Sequence, residues 1–145
     1  MSLQDWLNQG WVTEHKSSAH EIKGLLALVE RDLHDCRTGQ LSADWRFNIA
    51  YNAALQAATA ALAAAGYRAA RDGHHYRVIQ SLGLTIGAAS GTVRHLDAFR
   101  KKRNLSSYEV GGRISDQEAN EMAKLAEKLR DEVQRWIKAN HPPLL

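Results

Sequence analysis

Apolar residues recur at intervals of three and four along most of this chain, and those intervals predict helices. Ile22, Leu25, Leu26, Val29 and Leu33 form one such stripe. Ser18 stands ahead of it with Glu21 three residues on, the spacing of a capping box. Gly39 is a natural stop. Residues 3–8 predict a short first helix, capped by Ser2 and turning Trp6 inward. Ser42 opens a third helix through DWRFNIAYNAALQAATAALAAAG to Gly66. At roughly 1.5 Å per residue it is about 35 Å long. Phe47, Tyr51, Leu55, Ala58 and Leu62 share one face, and most remaining positions are alanine. Neighbouring helices can therefore approach on several sides, which marks this as the central helix.

The second half continues the pattern. Gly66 and Gly73 bracket a turn, after which His74 and His75 open a shorter helix with Tyr76, Ile79 and Leu82 toward the core. A fifth helix covers roughly residues 89–106. Ser115 and Glu118 make a capping box for the last helix. That helix carries Ala119, Met122, Ala126, Leu129, Val133 and Trp136 or Ile137 on one side and stops before HPP. Alternating β-branched runs are absent, so no strand is predicted. The expectation is all-α: an up-and-down bundle of five or six helices forming one domain over residues 1–145.

Composition narrows the function classes. Hydrophobic content of 44% and charged content of 24% are ordinary for a soluble globular domain. No apolar run approaches the roughly 20 residues that span a membrane. MSLQDWLNQGW lacks the basic-then-apolar pattern of a secretory leader, so a cytoplasmic protein without a membrane partner is expected. Cys36 is the single cysteine, which excludes an internal disulfide and a cysteine-based zinc site. His74 and His75 are adjacent and point about 100° apart on a helix, so alone they make no paired metal site. His15, His20 and His34 have no ligand spacing. Neither a metal nor a cofactor is expected.

Charge adds one feature. The formal net charge is +3, and the cations are scattered except at FRKKRN, where Arg100, Lys101, Lys102 and Arg103 run together. Val93, Leu96 and Phe99 lie at i, i+3 and i+6, and Arg103 follows Phe99 by four, so Arg103 continues an apolar stripe. A core-side arginine must be paired or line a cleft, because an unpaired buried charge is very unfavourable. Arg100, Lys101 and Lys102 fan around the rest of the helix, where cations also suit the helix dipole, for about 0.3 to 1 kcal/mol each. Tyr108 lies five residues beyond Arg103, about 140° away on an uninterrupted helix. Ser106 and Ser107, followed by Gly111 and Gly112, predict that the helix ends between them, so that Tyr108 swings back toward Arg103. The alternative is a site shared across a dimer. Asn48 and Asn52 either bridge helices or face the same cleft, and His95 is a more distant candidate for it. Asp44, Asp97 and Glu109 are candidate partners for the arginines.

RNLSSY, residues 103–108, resembles the hallmark of the HEPN family, an R-[N/D/H]-x3-H motif. FNIAYNAALQAATAALAAAGYR resembles that family's long helix of aromatic and small residues, and GHHYRVIQSL the histidine-led helix after it. The basic lead-in RKKRN is also similar. Together these cover roughly residues 42–109, about half the chain. In active members the resemblance implies a metal-independent endoribonuclease. There the arginine holds the scissile phosphate, the histidine assists attack by the 2′-hydroxyl, and two chains pair around one cleft. Here Tyr108 occupies the histidine position. Tyrosine, with a pKa near 10, is mainly a hydrogen-bond donor at neutral pH, whereas histidine near 6.5 exchanges protons. The preferred expectation is therefore a dimeric module for RNA, a nucleotide or a partner protein. Arg100, Lys101 and Lys102 would contact nucleic acid, and a small nucleotidyltransferase would be the partner in a toxin–antitoxin pair. The alternative is a toxin-like ribonuclease with Arg103, Asn104 and Tyr108 as its catalytic residues. The homodimer follows from the resemblance and from the alanine-rich helix faces.

Overall fold

The computed structural model describes residues 1–108 and 114–145, apart from the side chains of residues 105–108. Six α-helices appear among the described residues: α1 (Leu3–Gln9), α2 (Ala19–Asp35), α3 (Ala43–Ala64), α4 (His74–Gln80), α5 (Ser90–Tyr108) and α6 (Asp116–Asn140). The fold is an all-α bundle with a small two-stranded sheet. None of these helices is long and apolar enough to cross a membrane.

Serine caps start the helices where the spacing predicts. The Ser2, Ser18, Ser42 and Ser115 side chains each accept a hydrogen bond from the backbone N–H three residues on. At Ser115 the box is complete, with Glu118 reaching back to the cap. At Ser18 it is half formed, because the Glu21 carboxylate turns instead to His15 Nε2, at 2.7 and 2.8 Å. Helix α2 ends at Asp35, short of Gly39.

Helix α3 is the axis of the bundle. Phe47, Tyr51, Leu55 and Leu62 are buried, as are Ala50, Ala53, Ala54, Ala57, Ala58, Ala60, Ala61, Ala63 and Ala64. Burial on so many sides requires a helix hydrophobic nearly all round, and α2 and α6 pack on it most extensively. Side chains of one carbon let those backbones come close. The alanine faces expected to serve a dimer are thus already covered within one chain. A polar clamp joins α2 to α3. The buried Asp32 accepts hydrogen bonds from Asn52 Nδ2 at 2.8 Å, Gln56 Nε2 at 3.2 Å and Arg31 Nη2 at 3.0 Å. Asn52 is therefore the helix bridge that its position allowed.

Three features depart from the sequence reading. First, strands exist: β1 (Val12–Glu14) pairs antiparallel with β2 (Tyr67–Ala69), Thr13 opposite Arg68. Second, Tyr76 is 38% exposed and does not face the core, whereas Val78, Ile79 and Leu82 do. Third, α5 does not break at Ser106 or Ser107 but continues through Tyr108. Serine lowers helix propensity only by tenths of a kcal/mol, too little to end a helix by itself.

Candidate nucleic-acid interface

The site is built where α3, α4 and α5 meet. On α5, Val93, Leu96 and Phe99 are buried and Arg103 is half-buried on the same stripe. Phe99 meets Phe47 of α3 edge-on, with ring centroids 5.3 Å apart. One step of four along both helices places the Arg103 guanidinium carbon 5.1 Å from the Tyr51 ring centroid. A cation over an aromatic face is attractive, by about 0.5–1 kcal/mol when exposed and more when water is excluded.

Tyr51 is 1% exposed, and its hydroxyl has no hydrogen-bond partner among the described residues. Burial pushes its pKa up to about 12, with Arg103 and Arg100 pulling the other way. The phenol is neutral at pH 7. His75, from the first turn of α4, lies against it with ring centroids 6.2 Å apart. Burial, then the charges of Arg103, His74 and Arg100, hold His75 below the ordinary imidazole range. The site thus combines two guanidinium cations, that of Arg100 paired with the Asp97 carboxylate, with a neutral imidazole and a neutral phenol.

The basic run divides between site and scaffold. Arg100 Nε donates to Asp97 Oδ1 at 2.7 Å, and Lys101 Nζ stands 3.7 Å from Asp97 Oδ2. Lys102 Nζ donates to Glu118 Oε2 on α6, and this bond and the Ser115 backbone hold the Glu118 pKa down. Lys102 therefore ties α5 to α6. Asn104 is exposed on the next position after Arg103. The continuous helix sets the Arg103 and Tyr108 positions about 140° apart around the axis. The Tyr108 side chain, and Glu109, lie outside the described residues. His95 stacks on Phe99 at 4.5 Å and lines a hollow with Glu121 and Lys124 of α6, away from Tyr51. Cys36 is buried, donates to the Leu33 carbonyl at 3.3 Å, and is pushed up in pKa by burial. It is an inert thiol.

The arrangement brings together Arg100 and Arg103 from the sequence expectation and adds Tyr51 and His75, which that expectation missed. No cluster of three or more metal-ligating side chains occurs among the described residues. Such a site can hold an anion by charge and by hydrogen bonds from guanidinium forks. Comparison of the chain with protein-family models, with curated proteins and with solved structures finds no match in any of the three.

Proposed function

We propose that this chain is a HEPN-like module that binds RNA through the backbone phosphates, with Arg100 and Arg103 as the anion contacts. The observation that carries the reading is the placement of Arg103 on the buried Tyr51 ring with Arg100 one turn away. A guanidinium supported by a ring is orientationally restrained, and arginine forks match phosphate geometry. Fluorescence anisotropy with a labelled RNA strand tests it. Arg103→Ala is expected to weaken binding by about tenfold and to flatten its salt dependence by roughly one phosphate contact, and Arg100→Ala, whose guanidinium Asp97 already holds, to weaken it by less. Unchanged affinity in both variants refutes the reading.

The same reading carries a cytoplasmic homodimer that acts beside a small nucleotidyltransferase in a toxin–antitoxin pair. Light scattering is expected at twice the 16.2 kDa chain mass. The monomer mass at micromolar concentration counts against the dimer.

A second reading, a metal-independent endoribonuclease, is favoured by His75. A neutral imidazole near Arg103 accepts the 2′-hydroxyl proton as that oxygen attacks the phosphorus; the bond to the 5′-oxygen breaks, that oxygen takes a proton from water, and a 2′,3′-cyclic phosphate remains. RNA cleavage in EDTA that is lost in both Arg103→Ala and His75→Gln supports it. Intact RNA after incubation with folded wild-type protein rejects it.

A further inference from the structure

A second cluster of cations and rings opens beside the first. A cleft of about 830 Å³ is lined by Trp11, Arg71, Asp72, Tyr76, Arg77 and Arg100, among others. The small sheet builds it. The Ala70 N–H donates to the Trp11 carbonyl at 3.0 Å, extending the β1–β2 pairing and fixing Trp11 beside the start of α4. Trp6 packs edge-on against Trp11 at 5.9 Å and 77°, which sets the plane of the indole. Helix α4 then brings Arg77 into the space between the rings. Its guanidinium carbon is 3.8 Å from the Trp11 centroid, 5.3 Å from Tyr76 and 5.6 Å from Trp6.

Arg77 is half-buried in this aromatic setting, yet neither it nor Arg71 forms an ion pair among the described residues. The lining holds three arginines and one carboxylate, Asp72. Arg100 belongs to both places: its guanidinium carbon is 5.4 Å from the Tyr76 ring, and its charge reaches Tyr51 and His75 in the first site. Tyr76, 38% exposed, is the large aromatic left open at this junction. Unpaired cations ask for phosphate, and an exposed ring beside a guanidinium backed by indole gives a flat surface for an unstacked base. A base already stacked in a duplex cannot lie on it.

We propose that this cleft is a single-strand subsite, where a base lies against Tyr76 and Arg77 while phosphates meet Arg71 and Arg77. Arg100 joins it to Arg103, so that one strand passes over both. The proposal rests on the RNA-binding reading and specifies its ligand: unpaired RNA longer than a single nucleotide.

The test compares a labelled single strand of about ten nucleotides with a hairpin of the same composition, by anisotropy. Tyr76→Ala and Arg71→Ala alter exposed side chains and are combined in one variant; circular dichroism melting confirms its fold. Wild type is expected to bind the single strand at least about tenfold more tightly than the hairpin, and the double variant to lose that preference. If the double variant keeps wild-type affinity and preference while Arg103→Ala loses binding, the subsite is refuted and the Arg100–Arg103 reading survives. Equal affinity of wild type for strand and hairpin also refutes the subsite. Absence of binding to either RNA removes both readings.

Discussion

Replacing Tyr51 by phenylalanine is expected to stabilise the protein, against the usual direction for a core substitution. The ring fills the same space and keeps its place under Arg103, since phenylalanine also attracts a cation. What leaves is a hydroxyl buried without a hydrogen-bond partner among the described residues. Burying such a group costs about 1–3 kcal/mol relative to water. Allowing for a weaker cation contact, Tyr51→Phe gains about 1–2 kcal/mol. Unfolding entropy of about 2.1 cal/mol/K per residue gives roughly 0.3 kcal/mol/K for a chain of this size, so Tm rises by about 3–6 °C. Alkaline pH provides a second reading of the same atom. The phenol titrates near 10 in the unfolded chain and at about 12 in the folded one. The folded state holds the proton more tightly, so this contribution is complete below pH 10 and is lost as pH rises through 12. The loss over that window is about 2–3 kcal/mol, and Tyr51→Phe does not share it. Urea denaturation followed by circular dichroism at pH 7, and at steps from pH 9 upward, measures both effects. A variant less stable than wild type by 1 kcal/mol or so at pH 7 would falsify the reasoning, because it means the hydroxyl is bonded. A stability difference that does not grow above pH 10 refutes the pKa argument.

Asp32→Ala leaves the Asn52 and Gln56 amides without their acceptor inside the α2–α3 contact, and should cost about 2–4 kcal/mol. A loss under about 1 kcal/mol in urea denaturation overturns the clamp. His75 binds protons more weakly folded than unfolded, so its contribution is full above the unfolded pKa near 6.5 and falls away as pH drops through the depressed folded value. Melting between pH 7 and pH 5 should therefore fall less steeply in His75→Gln, and parallel curves reject this. Lys102 is engaged by Glu118, so Lys102→Ala should lower RNA affinity less than about twofold where Arg103→Ala lowers it about tenfold. Equal losses from the two would return Lys102 to the RNA contacts.

How much of this was legible follows the range over which each signal acts. The stripes of α2, α3 and α6 and the caps at Ser2, Ser18, Ser42 and Ser115 are local, set by residues three or four apart, and they were readable. The strands were not. Each is three residues long, shorter than any alternation can establish, and they pair segments far apart in the sequence. Three-residue spacing to Ile79 suggests a shared core face for Tyr76, yet on this helix of two turns Tyr76 lines the cleft with Trp11, Arg71 and Arg100 instead. The candidate site lies between these cases. The burial of Arg103 was visible, since it stands four residues beyond Phe99 on a stripe that needed covering. Its partner was not, because naming Tyr51 requires the register between two helices far apart in sequence. Yet one contact decides that register. Once Phe99 is set against Phe47, the same four-residue step on both helices sets Arg103 against Tyr51. The phenylalanine pair that packs the core thus also aims the guanidinium. Shrinking either ring should disturb RNA binding and stability together, whereas Tyr51→Phe, which keeps the register, should separate them.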